Sequence, residues 1–294
     1  MTTETVAGIE YQKPKVILLN QSGIGSAEIA ARTCYDSFSN SENTWIKDFP
    51  ILVDNIHDNP PGHHSIINSI NSTDQSGLLH DLAWTYHHHS ILEHASLTYY
   101  IEGTSRGVLQ EHSRHRLQAI SVRSTRYTMS DIINTFLVSL KFDEHDEGLT
   151  YFRDNITKLN MFVTTNYFYN QTEIDSIYNK LVFQLNSLGL EKFFNLSIVP
   201  KNIEEFKTER DIIKAFEILN RKKKRNVGDS FKHIVTDNWK VDLVVTFNLR
   251  SLKNYFDLRD SGAAWFQIQW LAEEMKKATP KKYLKLIDKK FKND

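Results

Sequence analysis

Residues 114–127 have the sequence RHRLQAISVRSTRY, which places four arginines, a histidine, a tyrosine and two serines within one short stretch. Guanidinium and hydroxyl groups at this density suit the bidentate recognition of phosphate or of a planar heterocycle. Composition alone favours an exposed basic segment whose charges pair with nearby carboxylates. The choice between the two, and with it the expected fold, therefore depends on the sequence that surrounds this stretch.

The surrounding sequence alternates between strand-like and helix-like segments. β-branched and aromatic residues predict strands at 15–20, 95–102 and 242–247. Helical spacing of apolar residues predicts helices at 26–37 and 248–258, and several helical segments between 144 and 225. Residues 55–75 are rich in Asn, Ser, Pro and Gly, which predicts a long loop. These elements indicate a mixed α/β protein.

Composition excludes several classes of protein. The chain has 294 residues, equal numbers of basic and acidic residues (36 each), and 40% hydrophobic residues, which is typical of a globular enzyme-sized protein. Its apolar runs are too short for a membrane helix, and its N-terminus lacks a basic and apolar leader, so we expect a cytoplasmic protein. The single cysteine, Cys34, cannot form an internal disulfide.

Two other sequence features could indicate a function, but we assign a function to neither. The basic run Arg221–Arg225 could bind nucleic acid, but a helix end that carries cations is the commoner explanation. Ten of the twelve histidines lie between His57 and His115. The chain lacks the His-Glu-x-x-His pattern of a zinc helix, and we predict no metal site.

A second polar cluster lies late in the chain. Asn248, Arg250, Asn254 and Arg259 fall within one predicted helix, where Arg250 and Asn254 share a face because they are four residues apart. An arginine and an asparagine on one face can hold a planar ligand. They could equally cap the helix and bind core carbonyl groups, and the spacing does not decide between these roles.

Five ordered motifs together resemble the flavin-dependent thymidylate synthases, the ThyX family. The stretch 114–127 resembles the family signature, Arg-His-Arg followed by seven residues, Ser, and a closing Arg-Tyr. The other four matches are ARTCYD at 31–36, HHSILEH at 88–94, SRGVLQE at 105–111, and NLRSLKN at 248–254 followed by Leu258 and Arg259. The resemblance covers roughly residues 30 to 130 and 230 to 278.

The resemblance implies the reductive methylation of dUMP to dTMP. FAD would be the hydride carrier, methylenetetrahydrofolate the carbon donor and NADPH the reductant. Arg259 matches the arginine that activates the pyrimidine by stabilising negative charge. Ser124 matches a serine beside the substrate, where binding and orientation are favoured over covalent attack. Cys34 does not match a nucleophile, so we disfavour a thiol mechanism.

The resemblance also implies the remaining site residues. Those carried over to the flavin are His88, Ser90, Glu93, Arg114, His115, Arg116, Val122, Asn248, Leu249, Arg250 and Asn254. Those carried over to dUMP are Glu111, Arg114, Val122, Ser124, Thr125, Arg126, Tyr127, His233 and Arg259.

The family fold implied is α/β (α+β), a central and largely antiparallel sheet flanked by helices. We expect a single catalytic domain over residues 1–294 with a helical insertion at about 144–228, assembled as a homotetramer with shared active sites. No stable nucleic-acid partner and no membrane association are expected.

Departures from the family pattern keep two alternatives open. Ala119 and Val122 lack polar groups that many members have, Glu111 stands where many have Gln, and His233 is assigned to a basic position that is poorly matched. A member that binds flavin or nucleotide without turnover is therefore one alternative. A nucleic-acid-binding protein that uses its Arg-rich segments is the other, although the zero net charge disfavours it.

Overall fold

The computed structural model describes residues 2–58, 63–140, 142, 144–187 and 232–293. Its strands are β1 (Thr3–Val6), β2 (Ile9–Gln12), β3 (Lys15–Gln21), β4 (Ser96–Ser105), β5 (Gln118–Val122) and β6 (Lys240–Asn248). Its α-helices are α1 (Gly25–Tyr35), α2 (Thr44–Lys47), α3 (Phe49–Asp58), α4 (His63–Ser72), α5 (Gly77–Trp84), α6 (Arg106–His112), α7 (Thr125–Ser139), α8 (His145–Lys158), α9 (Tyr167–Ser187), α10 (Leu249–Arg259), α11 (Phe266–Ala278) and α12 (Lys281–Ile287).

The chain divides into two compact units. The sheet unit comprises residues 13–104, 108–122 and 242–294, and the hairpin unit comprises residues 1–12, 105–107 and 123–241. No helix in the described part of the chain is both long and apolar enough to cross a membrane.

A four-stranded sheet in the order β3-β4-β6-β5 forms the centre of the sheet unit. β3 pairs antiparallel with β4, and β5 pairs antiparallel with β6, with Gln118 opposite Phe247 and Val122 opposite Leu243. Thr98 bonds Thr246 and Gly103 bonds Asp242, so β4 and β6 also run in opposite directions. The predicted antiparallel sheet is confirmed.

The alternation of buried and partly exposed residues along β6 shows that one face of the sheet is covered. Val241, Leu243, Val245 and Phe247 are buried, and the residues between them are partly exposed. This two-residue period is that of a strand with one face against the core. Helices α1, α5, α10, α11 and α12 supply the rest of that core, including the fully buried Tyr255 and Tyr283.

The hairpin unit joins a β-hairpin to three helices. β1 and β2 pair antiparallel through a tight turn at Ala7 and Gly8, which both have positive φ. Rings of Phe136, Phe152 and Tyr178 pack together between α7, α8 and α9, with centroids 5.2 to 6.1 Å apart. Helices α8 and α9 fall in the predicted insertion, whereas residues 188–228 lie outside the described part. The single-domain organisation stays a prediction.

The strands and helices predicted within the described residues are present, but the predicted loop at 55–75 is wrong. Most of it is helical, because α3 extends to Asp58 and α4 spans His63–Ser72. The isoleucines of α4 recur at helical spacing, and Asn71 accepts a hydrogen bond from the backbone N–H of Gly23 (2.9 Å). The loop was predicted because the Asn and Ser content of the segment was given more weight than the spacing of its isoleucines.

Gly23 lies two residues before α1 and packs against the backbone of α4, so we expect that no other residue can replace it. A Cβ at Gly23 would lie 1.8 Å from the carbonyl oxygen of Ile70, which is backbone and cannot move aside alone. Gly23→Ala should therefore lower the free energy of unfolding by roughly 3 kcal/mol or more, measured by urea unfolding. A Cβ at Gly262 meets nothing within 4 Å, so Gly262→Ala is the matched control. Equal stability of the two variants would contradict this packing.

Candidate functional site

A cleft of about 1130 Å³ in the sheet unit is lined by α10, the segment after α6 and the loop after α10. It brings together six residues predicted from the motifs: Arg114, His115, Arg116, Arg250, Asn254 and Arg259. α10 can present three of them because its other face is anchored in the core by the buried Leu249, Leu252 and Phe256.

Arg259 is held by three hydrogen bonds. Its Nη1 lies 3.0 Å from the Glu111 carboxylate, its Nη2 donates to the Glu111 carbonyl oxygen at 3.2 Å, and its Nε donates to His115 Nε2 at 2.9 Å. Because a guanidinium carries five N–H groups, two are left to offer to a ligand. The side chain is only 16% exposed, so its orientation is fixed before any ligand binds.

The hydrogen bond from Arg259 requires a neutral His115. Burial, followed by the positive charge of Arg259, lowers the pKa of His115 to about 4. Since Nε2 accepts the hydrogen bond, the ring proton of the neutral form resides on Nδ1. The ring packs edge-on against Tyr255, with centroids 4.7 Å apart.

His112 supports this arrangement from within the core. It is fully buried, its Nδ1 lies 3.1 Å from the Tyr255 hydroxyl, and its ring packs against Phe247. Burial and the nearby His115 lower the pKa of His112 to about 3, so it is neutral in the folded protein at ordinary pH. Burial also raises the pKa of Tyr255. The layer beneath the cleft is therefore uncharged.

The remaining cations of the cleft are more exposed. Arg114 lies 3.5 Å from Glu111 with 73% of its side chain exposed, and Arg250 contacts Glu93 at 2.5 Å. Exposed pairs of this kind are weak, so both guanidinium groups are available to a ligand. Asn248 is the N-cap of α10, where its side-chain oxygen accepts a hydrogen bond from Ser251 N–H (2.8 Å).

Other predicted flavin residues lie elsewhere in the sheet unit. His88 is exposed and precedes the 3₁₀ helix His89–His94, which contains the exposed Ser90. Val122 packs against the core at the end of β5, and Leu249 is buried in that core. Leu249 therefore supports α10 with its side chain.

Five residues predicted to bind dUMP belong to the hairpin unit. Ser124 and Thr125 stand at the start of α7, and the backbone of Arg126 and Tyr127 lies in its first turn. His233 lies in the 3₁₀ helix Lys232–Ile234 and lines a second cavity of about 800 Å³ with residues of α9. Glu111 belongs to the sheet unit, where it pairs with Arg259.

Three titratable residues that line the cleft were not among the predicted site residues. They are His89, Lys253 and Asp257. His89 bonds the Ala83 carbonyl oxygen at 3.0 Å, and burial lowers its pKa. The burial of Lys253 could have been predicted from the sequence, because Lys253 occupies a core-facing position in the helical pattern of Leu249, Leu252 and Phe256. The described residues contain no group of three side chains placed to hold a metal ion.

A large cleft lined by guanidinium groups on a mixed α/β scaffold is typical of an enzyme that binds an anionic, nucleotide-like ligand. Residues 17–283 match the family model described as thymidylate synthase complementing protein (Thy1). This match covers most of the chain, so the chain belongs to that family. The family predicted from the motifs is confirmed.

Curated relatives agree with this assignment. A protein of Helicobacter pylori (strain ATCC 700392 / 26695) named flavin-dependent thymidylate synthase is 25% identical over 277 residues, which are 93% of this chain and 97% of the relative. A protein of Campylobacter jejuni (strain RM1221) with the same name is 28% identical over 199 residues, which are 67% and 72% of the two chains.

A solved structure supports the fold. The crystal structure of thymidylate synthase X from Helicobacter pylori with FAD and dUMP matches with a TM-score of 0.55 and 22% identity, over 95% of this chain and all of that one. The predicted fold class is therefore confirmed independently of the strand assignments.

The neutral His112 predicts a specific pH dependence of stability. An unfolded histidine binds its proton near pH 6.5, whereas the folded His112 does so only near pH 3. The unfolded state thus binds more protons between these values, and stability falls as the pH drops through this window. His112→Phe should remove about 1.4 kcal/mol per pH unit from this slope between pH 6 and 4, measured by urea unfolding. An unchanged slope would show that His112 titrates normally.

Proposed function

We propose that this chain catalyses the reductive methylation of dUMP to dTMP, with FAD as hydride carrier, methylenetetrahydrofolate as carbon donor and NADPH as reductant. The observation that carries the proposal is the cleft in which Arg114, His115, Arg116, Arg250, Asn254 and Arg259 converge. These residues come from two motifs more than a hundred positions apart. Their convergence supports one shared site for the two motifs.

The residues of the cleft fit a flavin dinucleotide. Five cationic side chains line it, namely Arg114, Arg116, Arg250, Lys253 and Arg259, against the single carboxylate of Asp257. A diphosphate supplies the negative charge that this surface lacks, and the amide of Asn254 can bond the edge of a planar ring. When bound, the flavin supplies the hydride chemistry.

Arg259 is the proposed activating group. Uracil C5 is a poor nucleophile, and a fixed cation beside the ring would stabilise the negative charge that develops as C5 attacks the one-carbon unit. Three bonds from Glu111 and His115 fix the guanidinium, so little reorganisation is needed during the reaction. Glu111 and His115 thereby orient the group that acts on the substrate.

The substrate phosphate is assigned to the segment that begins α7. We base this on residue type, because Ser and Thr hydroxyls, an Arg guanidinium and backbone N–H groups are all phosphate donors, and the segment contains Ser124, Thr125, Arg126 and Tyr127. His233 is proposed as a further contact. We assign Ser124 to orientation of the pyrimidine. Cys34 is exposed and unpaired and has no role in this scheme.

Absorption spectroscopy tests the proposal as a whole. The purified protein should show a flavin band, or acquire one when FAD is added. This band should bleach with NADPH in the absence of oxygen, and faster when dUMP is present. Bleaching followed by no dTMP formation on addition of methylenetetrahydrofolate would support a member without turnover. Failure to bind any flavin would remove the basis of the proposal and turn attention to nucleic acid.

Replacement of Arg259 tests the mechanism. Arg259→Ala should lower kcat for dTMP formation by about 100-fold or more, because removal of one preorganised charge-stabilising group typically has this effect. Thermal unfolding should show that the variant is folded, and FAD titration should show that the cofactor still binds.

Cys34→Ser is the matched control, since it should retain substantial activity. Normal turnover by Arg259→Ala would refute the assignment of Arg259. Complete loss of activity in Cys34→Ser with flavin still bound would instead revive a thiol mechanism.

Assembly and cellular context are part of the same proposal. We propose a homotetramer whose active sites draw residues from several subunits, with folate and dUMP as ligands and no stable nucleic-acid partner. An unpaired exposed thiol at Cys34 is compatible with the reducing cytoplasm. Sedimentation measurements with and without FAD would test the tetramer.

A further inference from the structure

Lys253 occupies a position where a lysine is unusual. It lies on the face of α10 that carries Leu249, Leu252 and Phe256 into the core, and only 7% of its side chain is exposed. It also lines the cleft, next to Arg250 and Asn254. The motif comparison assigned both of these neighbours to the flavin and left Lys253 without a role.

The amine of Lys253 lacks a hydrogen-bond acceptor among the described residues. Its Nζ lies 3.6 Å from the centroid of the Trp84 ring and 3.9 Å from the Asp257 carboxylate, which is beyond hydrogen-bond length. An ammonium group has three N–H donors, and burying them without acceptors is costly. Burial accordingly lowers the pKa of Lys253.

We propose that Lys253 binds phosphate oxygens of the ligand in the cleft, a role that rests on the proposed function. An unsatisfied buried ammonium beside a ligand cleft is explained if the ligand supplies the acceptor. Phosphate is the group that fits, because it is compact and strongly charged and matches a point charge such as an ammonium. Among the residues that line the cleft, cationic side chains outnumber the carboxylate of Asp257, and this excess also favours an anionic ligand although Glu93 and Glu111 pair with three of the arginines.

The side chain can reach such a ligand by rotation. A lysine has a flexible stem of four carbons, so Nζ can turn from the face of Trp84 towards the cleft that its stem already lines. The face of the Trp84 ring is then the place where the amine lies when no ligand is bound. Its indole N–H is bonded to the Lys285 carbonyl oxygen at 2.7 Å, which fixes the ring plane.

The test compares Lys253→Met with the exposed control Lys277→Met. Methionine keeps the length of the side chain and its packing on Trp84 but has no charge. Lys277 is 66% exposed and pairs with Glu274, away from the cleft. Dissociation constants are measured by titration of each protein with FAD, with riboflavin, which has no phosphate, and with dUMP.

Loss of a charge-assisted hydrogen bond should weaken binding of the phosphate-bearing ligand by about tenfold or more. A loss for FAD with unchanged riboflavin affinity identifies the flavin diphosphate as the partner. A loss for dUMP alone identifies the nucleotide phosphate. Lys277→Met should leave all three constants unchanged.

Thermal unfolding without ligand separates this role from a structural one. If Lys253 serves a ligand, Lys253→Met removes a buried unsatisfied charge and should raise the melting temperature of the ligand-free protein. A lower melting temperature with equal losses for FAD and riboflavin would overturn the proposal, as would unchanged affinity for all ligands. If the unaltered protein binds neither FAD nor dUMP, the proposed function itself fails.

Discussion

The geometry of the cleft depends on one hydrogen bond, from Arg259 Nε to His115 Nε2. This bond exists only while the imidazole is neutral, because a protonated ring has no acceptor. Two features keep it neutral, namely burial of the ring and the nearby positive charge of Arg259 itself. The arginine thus helps to maintain the acceptor that orients it. The buried pair of His112 and Tyr255 supports the ring from below without adding charge.

Helix α10 connects this bond to the fold. Its buried face packs into the core of the sheet unit, Asn248 caps its first turn, and Arg259 is its last residue. The following residue, Asp260, is paired with Lys276 at 2.5 Å and with Lys290 at 2.9 Å. Both ends of the helix are therefore fixed by contacts that involve no ligand. A helix held in this way can present Arg250, Asn254 and Arg259 in a constant arrangement.

The sequence predicts the site best where the residues involved are close together in the chain. The helix that carries Asn248, Arg250 and Asn254 follows from residue type and spacing, and the strands at 95–102 and 242–247 follow from their composition. The Arg259–Glu111 contact joins residues 148 positions apart and cannot be read from spacing. Strand β5 escaped prediction because it lies within the Arg-rich stretch, where charge obscured its alternation. The burial of Lys253 depends on Trp84, a tertiary neighbour from another helix.

The net charge of the chain is zero, yet five cationic side chains and one carboxylate are among the residues that line the cleft. A neutral protein that concentrates cations in one place gains little general attraction for polyanions such as nucleic acid, since that attraction depends on an extended basic surface. It can still attract a small anion that fits the cleft, because Arg259 and Lys253 are largely buried and solvent screens their charges less. Two of the potential charges in that wall, His89 and His115, have lowered pKa values. The positive field therefore comes from arginines and Lys253, and it persists at any pH at which the protein is folded and Lys253 is protonated.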